Sequence, residues 1–237
     1  MADGDGRYLL NLAEQVVAQP GDQTLEPGDL ARVVQQRAPV HDKQGESHYN
    51  LISALHKAMR GSDCDAALYW LARMLVGGED PRFIARRVVR FASEDVGLAD
   101  PHALPQCLAA WDTYERLGSP EGELGLAQAV IYVATAPKSN ATYVALGAAM
   151  RAAKETGSLM PPAHSVNAPT GLMRDLGYGE GYQYDHAAED GFAGQDHFPA
   201  EMARRAFYQP VARGFERDVQ KRLAYWARLR EGGSDRG

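Results

Sequence analysis

The sequence lacks three features that would place it in a broad class at once. It has only two cysteines, Cys64 and Cys107, and because a disulfide framework needs more, both are interpreted as buried thiols. No apolar run approaches the roughly 20 residues that span a bilayer. The first residues carry neither the basic nor the apolar stretch of a signal peptide. These absences predict a cytoplasmic protein with no membrane role.

Excess positive charge and metal-ligand spacing are missing too. The formal net charge is -6 and the pI about 5.6, whereas proteins that bind nucleic acid through their overall charge are usually basic. Any nucleic-acid contact is therefore expected in a local patch or in a part of the protein beyond this sequence. The histidines and cysteines lack the spacing of a zinc site, so no metal is expected.

Helical periodicity dominates what is present. Between residues 46 and 157 apolar residues recur at helical spacing in six segments, each bounded by a capping residue, a proline or a glycine. The short links imply neighbouring, roughly antiparallel helices. The sequence thus predicts an all-α helical bundle. The expected helices are 7–18, 29–37, 46–60, 65–76, 82–96, 102–117, 121–136 and 140–156.

The composition changes at residue 158. The following stretch is rich in glycine, proline, histidine and aromatic residues, which predicts an irregular but ordered segment with one short helix over 170–176. Its aromatic side chains are expected to be buried against the helices. A final amphipathic helix is expected over 214–230. The chain is therefore divided into residues 1–40, residues 41–160, and residues 161–237, with the last part packing on the second.

Four long strings identify a resemblance to a known family. They are HDKQGESHYNLISALHKAMRGSDCDAALYWLARML (41–75), RRVVRFASEDVGLADP (86–101), YERLGSPEGELGLAQAVIYVATAPKSNA (114–141) and NAPTGLMRDLGYGEGYQYDH (167–186). Together they resemble the C-terminal region of the replication-associated recombination protein A family of AAA+ ATPases, whose eukaryotic relatives are the Werner-helicase-interacting ATPases. The similarity covers roughly residues 4–230.

The resemblance implies a helical domain like the collar of clamp-loader subunits, which forms a homotetramer. The full-length family protein uses ATP and Mg²⁺, has DNA-dependent ATPase activity and acts at stalled or damaged replication forks. It associates with DNA and with single-stranded-DNA-binding protein, which implies a cytoplasmic, nucleoid-associated location. Residues 1–40 would be a remnant of the AAA+ lid helices and residues 41–160 the oligomerisation domain.

The sequence departs from the full-length pattern in its nucleotide-binding motifs. It contains no G-x-x-x-x-G-K-[ST] phosphate loop and no Walker B strand, so this fragment is expected to be non-catalytic and to hold no cofactor itself. GDGRYLLN, residues 4–11, resembles the sensor 2 motif, with Arg7 as the nucleotide-sensing arginine. Arg7 would act only in the intact protein, and here it is expected to be solvated. HSVNAPT, residues 164–170, lacks an expected basic residue near Ser165 or Val166.

Two sets of basic residues are candidate contact surfaces. Arg82, Arg86 and Arg90 repeat every four residues and Arg87 lies beside them. They can form a DNA or partner contact, but ion pairs with Glu94-Asp95 or Glu121 and Glu123, or an oligomer interface, are favoured in so acidic a chain. A C-terminal set allows the same alternatives, with a solvated face as the default. It comprises Arg213, Arg217, Lys221, Arg222, Arg228 and Arg230.

The leading hypothesis is a non-catalytic oligomerisation region, because two of the expected helices are apolar around much of their circumference. Tyr69, Trp70, Met74, Trp111 and Tyr132 are of types enriched at interfaces, although each alone is more readily explained as monomer core. The alternative is an independent DNA- or protein-binding adaptor that uses the Arg82–Arg90 face. A stand-alone enzyme with a site between His164 and His186 has the least support.

Overall fold

The computed structural model describes residue 13 and residues 46–188 and 190–234. All regular secondary structure in these residues is helical, which confirms the all-α prediction. The described residues form eight α-helices, which are α1 (Glu46–Arg60), α2 (Cys64–Val76), α3 (Pro81–Phe91), α4 (Ala103–Leu117), α5 (Glu123–Thr135), α6 (Ala141–Thr156), α7 (Gly171–Asp175) and α8 (Glu216–Ser234). Arg7 and the predicted helices over 7–18 and 29–37, apart from Ala13, lie outside the described residues.

Helix starts follow the capping residues where a side chain reaches the first turn. Asp63 accepts a hydrogen bond from the Ala66 amide at the start of α2. Asp80 does the same for the Arg82 amide, with Pro81 at the first position of α3. Asp100 likewise accepts from the amide two residues later, that of His102, at 3.0 Å. Helix α4 nevertheless begins at Ala103, one residue later than predicted.

The expected helix over 82–96 does not stay α-helical to its end. Helix α3 ends at Phe91, and the chain continues through a π-helix (Ala92–Val96) and a 3-10 turn (Gly97–Ala99). The backbone oxygen of Asp95 in the π-helix accepts from the Ser139 amide at 2.8 Å. A Cβ at Gly97, where φ is +53°, would lie 2.8 Å from the Ser139 oxygen. The wider turn thus lets the link before α6 pack against this backbone.

Helix α5 lies at the centre of the bundle and packs against α1, α2, α3 and α4. Two inward residues, Val130 and Val133, are fully buried among side chains from all four neighbours. Burying a side chain of this size contributes about 1.5–3 kcal/mol. Helices α2 and α5 are the two expected helices that are apolar around much of their circumference, and both contribute buried residues to this core. Other fully buried core residues are Leu55, Met59, Met74, Ile84, Phe91 and Val96.

The C-terminal segment attaches to the bundle just before α8. The Phe215 amide donates to the Ala99 oxygen at 2.8 Å, and Arg213 Nη1 donates to the Lys138 oxygen at 3.1 Å. Gly214 has a φ of +50°, and a Cβ there would collide with the Ala99 oxygen. Only glycine therefore allows this close approach of the two backbones.

The aromatic residues of the irregular segment are less buried than predicted. Tyr178, Tyr182 and Tyr184 are exposed, while Phe192 and Phe198 are half-buried. The prediction was wrong for the three tyrosines because the segment is held by turns and side-chain-to-backbone hydrogen bonds rather than by ring burial. Gln195, for example, accepts from the Gln183 amide and donates to the Gly181 oxygen, both at 2.8 Å.

Candidate functional site

Helix α6 carries an apolar face that the rest of the described chain leaves open. Tyr143, Leu146 and Met150 are spaced three and four residues apart, so they share one side of the helix. Their exposed fractions are 58%, 61% and 55%. Gly147 lies among them, and a Cβ added there would meet only the end of the Arg151 side chain at 3.6 Å. These four residues are called the α6 stripe.

The stripe is exposed because of how α6 is attached. The helix packs chiefly on the π-helix and the 3-10 turn, and only Ala141 and Ala152 in it are buried. Near its C-terminal end Glu155 makes a loose ion pair of 3.5 Å with Arg205. An exposed apolar face on a sixteen-residue helix is a candidate contact surface.

A polar junction joins α1 to the π-helix beside this attachment. Arg60 forms a two-point ion pair with Asp95, with distances of 2.5 and 3.1 Å. Lys138 Nζ donates to the backbone oxygens of Ala134 and Ala136 at 2.8 and 2.6 Å, and burial lowers its pKa. The ion pair links α1 to the π-helix, and the lysine bonds link the end of α5 to the chain before α6.

His56 lies on the inner side of the junction. It is only 9% exposed, and its ring makes an edge contact with Phe91, with centroids 5.6 Å apart. Its Nε2 has no hydrogen-bond partner among the described residues. Burial, followed by the nearby positive charge of Arg87, lowers the pKa of His56 to about 4. The ring is therefore a neutral part of the core at neutral pH.

Three of the four arginines on α3 contact other groups instead of forming an open basic face. Arg82 makes a two-point ion pair with Glu115 of α4, at 2.8 and 3.0 Å. Arg90 pairs with Glu94 at 2.6 Å, and the guanidinium of Arg86 lies 5.4 Å from the Phe83 ring centre. The Nε of Arg87 is buried without a hydrogen-bond partner. The structure thus places Arg82 and Arg90 in ion pairs.

One buried charged group was not found from the sequence. Glu216 at the start of α8 is fully buried and accepts from the Tyr208 hydroxyl at 2.7 Å and from the Val211 amide at 2.9 Å. Burial, and then this hydrogen bond, raise the pKa of Tyr208 well above its usual value. An acidic residue in the first turn of a helix is common on protein surfaces, so nothing in the local pattern indicated that Glu216 would be buried.

Comparison with known proteins assigns the chain to a family. The profile of the MgsA AAA+ ATPase C-terminal domain matches residues 61–227, and that of an AAA C-terminal domain matches residues 1–60. The chain belongs to the MgsA AAA+ ATPase C-terminal family. The resemblance inferred from the sequence is confirmed.

Curated relatives of this family member carry the name replication-associated recombination protein A. The protein from Coxiella burnetii is 51% identical over 235 residues, which are 97% of this chain and 53% of the relative. Those from Escherichia coli K12 and Haemophilus influenzae are 44% and 46% identical, covering 96% and 97% of this chain and 52% of each relative. The chain thus spans about half the length of these relatives.

The AAA+ family implies ATP and Mg²⁺, but the glycine-rich string GSPEGE, residues 118–123, does not fit a phosphate. It forms the turn between α4 and α5, where the Ser119 and Tyr114 hydroxyl oxygens lie 3.3 Å apart. A Cβ at Gly122 would lie 2.7 Å from the Tyr114 Cα. This glycine therefore permits tight packing of the turn on α4 and does not cradle a ligand.

The stretch expected to hold an enzyme site, in the least supported hypothesis, forms an open depression. His197 from the following chain joins its lining, and Ser165 Oγ and His197 Nδ1 lie 3.0 Å apart. No carboxylate among the described residues hydrogen-bonds His197, so the third group of a nucleophile–base–orienter arrangement is missing. Within the described ranges no three potential ligands cluster as a metal site would require.

The two cysteines differ in burial. Cys107 is buried, which raises the pKa of its thiol to about 12, but Cys64 is only half-buried, so the prediction that both thiols are buried was wrong for Cys64.

In the part of the chain that the structure describes, every helix is too short or too polar to cross a bilayer.

Proposed function

We propose that this chain is the non-catalytic C-terminal oligomerisation region of a longer AAA+ ATPase that acts in DNA replication and recombination. The family assignment and the relatives' names support the general role. The α6 stripe supports the assembly role, because it is an exposed apolar face on a helix with few internal contacts. It is the single observation on which the proposal depends.

The proposed occupant of the stripe is a second copy of this chain. The stripe carries no charge, so it offers nothing to select a strongly acidic or basic partner. Tyr143, Leu146 and Met150 project around Gly147, where an added Cβ would meet only the flexible end of Arg151, so a large side chain of a facing helix can enter once that end moves. Large residues beside a small one can pair with the same pattern on a symmetry-related copy, which closed oligomers require. A homotetramer is the proposed state.

Assembly would bring several ATPase units to one place. Linking them through a shared domain raises their effective concentration on DNA or on a common partner. The proposed activity of the whole protein is DNA-dependent ATP hydrolysis with Mg²⁺ at stalled or damaged forks, with single-stranded-DNA-binding protein as a partner and a nucleoid-associated cytoplasmic location. Arg7 would sense the nucleotide in that longer protein, and residues 1–40 would belong to its lid.

Light scattering on the purified chain tests the assembly. At tens of micromolar, the expected mass is four times the 25.8 kDa of one copy. Leu146→Glu places a charge in the stripe and is expected to give a monomer with an unchanged helical circular-dichroism spectrum. The matched control is Leu124→Glu, because Leu124 is an exposed leucine of α5 away from α6. This control should keep the wild-type mass.

A monomeric wild-type chain at these concentrations would contradict the proposal. An oligomer whose mass is unaffected by Leu146→Glu would refute the stripe as its interface. The adaptor alternative, DNA or protein binding through the Arg82–Arg90 face, has less support because Arg82 and Arg90 already pair with carboxylates.

A further inference from the structure

Helix α8 presents a row of basic residues that the proposed assembly does not use. Lys221 and Arg228 lie four and eleven residues after Arg217 along α8, so the three side chains share one face of the helix. Tyr225 lies in the same row between Lys221 and Arg228 and is 38% exposed. The four side chains extend over roughly 16 Å of helix. They are called the α8 row.

The α8 row is less neutralised than the arginines of α3. Of its three cations only Lys221 has a carboxylate within 4 Å among the described residues, Asp218 at 3.0 Å, and both side chains of this pair are more than half exposed. Arg217 Nε donates to the Ala212 backbone oxygen at 3.0 Å, which orients the guanidinium without neutralising it. In a chain with a net charge of -6, such a row is an exception that favours an anionic partner.

The position of Tyr225 indicates which class of anionic partner would bind the row. Its hydroxyl donates to Asp190 Oδ1 at 3.1 Å, and its ring packs at a steep angle on Trp226, with centroids 4.9 Å apart. The ring is therefore held in place while part of it stays exposed. A fixed aromatic ring between cations is the arrangement on which an unpaired base stacks while neighbouring phosphates bind the cations. An acidic peptide would use the charges but not the ring.

We infer that the α8 row binds single-stranded nucleic acid. The row would neutralise about three phosphates, and Tyr225 would stack on one base. Helix α6 takes no part in this contact, so the inference is separate from the proposed self-association. It adds a nucleic-acid surface within a region whose proposed role is assembly.

Fluorescence anisotropy with the whole 237-residue chain tests the charges. The probes are a labelled single strand of about 20 nucleotides and the same strand in a duplex, titrated at several salt concentrations. The triple variant Arg217→Gln, Lys221→Gln, Arg228→Gln is expected to weaken single-strand binding about tenfold or more at low salt. The slope of log Kd against log salt should fall by about 2, since each phosphate contact on a single strand contributes roughly 0.7.

The matched control removes the same charge elsewhere. Lys57→Gln, Arg116→Gln and Arg174→Gln change three exposed basic residues on α1, α4 and α7. This triple variant should bind within about twofold of wild type and keep its salt slope. Both triple variants should keep the wild-type molecular mass, because neither alters the α6 stripe. A failure of self-association would therefore be seen separately from a failure of binding.

Two substitutions test the ring. Tyr225→Phe keeps the aromatic face and should retain single-strand affinity, whereas Tyr225→Leu should weaken it about tenfold, the lower part of the range for losing one stacked base. Duplex affinity should not change with either variant. The inference is overturned if the wild-type chain binds no single strand at low salt or binds a polyglutamate peptide or duplex more tightly. Equal weakening of single-strand binding by both triple variants would also overturn it. So would a loss of duplex affinity in Tyr225→Leu that equals its loss of single-strand affinity.

Discussion

The helical bundle of residues 46–157 and the C-terminal segment of residues 158–234 are stabilised in different ways. In the bundle, α5 is surrounded by four helices, and the buried residues are almost all apolar. In the segment, the group buried most completely is the carboxylate of Glu216, and turns and side-chain-to-backbone bonds set the path. The bundle depends on many interchangeable contacts and the segment on a few specific ones.

This difference has consequences for single substitutions. A large cavity in the bundle is costly because the surrounding helices relax only partly, but a lost surface contact there leaves the core intact. In the segment, removal of one buried polar partner leaves another polar group unpaired, and no apolar core compensates for it. Buried substitutions should therefore act globally in the bundle and locally in the segment.

The largest effect is expected from a cavity in the bundle. Leu55 of α1 is fully buried in the main core, and Leu55→Ala should lower the free energy of unfolding by about 3–4 kcal/mol. Urea denaturation followed by circular dichroism measures this change. Leu124→Ala is the control, because Leu124 is 76% exposed, and its effect should stay within about 0.5 kcal/mol. Similar losses for the two variants would contradict the view that the apolar core determines the stability of the bundle.

A buried histidine makes the stability of the bundle depend on pH. Because the pKa of His56 is lowered to about 4, the unfolded chain binds a proton near pH 6.5 that the folded chain does not accept. Stability should therefore fall from about pH 6.5 to about pH 4 and then level off, with a loss of roughly 3 kcal/mol from this group.

Denaturation of wild type and His56→Gln across this pH range isolates the contribution of the histidine. The carboxylates titrate in both proteins, so the difference between the two curves reports His56. As the pH falls from about 6.5 to about 4, the free energy of unfolding of wild type should decrease by roughly 3 kcal/mol more than that of His56→Gln. Parallel curves would show that His56 titrates alike in the folded and unfolded chains.

The accuracy of the sequence predictions follows the same division. The helices from 46 to 156 were predicted within about two residues, except where α3 gives way to the π-helix, because periodicity and caps are local signals. The π-helix was missed because its Asp95 bonds Ser139, a partner more than forty residues away. A sequence pattern does not encode such a contact.

The candidate surfaces depend on packing more than the helices do. The sequence indicated an oligomer built on the apolar helices α2 and α5, which stays a prediction, whereas the stripe proposed here is on α6. It grouped the arginines of α3 and the cations of α8 as equivalent alternatives. They differ because Glu115 of the neighbouring α4 reaches Arg82, and which acid faces a given helix depends on packing.

An intermediate effect is expected from the buried carboxylate of the segment. Glu216→Ala leaves the Tyr208 hydroxyl and the Val211 amide without their acceptor, which should cost about 2 kcal/mol. Amide hydrogen exchange should show faster exchange at Val211 and Phe215 while the core of α5 is unchanged. Glu201→Gln, an exposed acid in the same segment, is the control. Equal loosening of α5 would mean that the bundle and the segment unfold as one unit.

The smallest effect is expected from an ion pair in the bundle. Arg60 and Asp95 form a two-point contact like that of Glu216, but the Arg60 side chain is 51% exposed. Water screens such a pair, and the apolar core beneath holds α1 whether or not the pair forms. A double-mutant cycle with Arg60→Gln and Asp95→Asn should therefore give a coupling free energy of about 0.5–1 kcal/mol, below the Glu216 effect. A coupling above about 2 kcal/mol would show that specific polar contacts fix the bundle as they fix the segment.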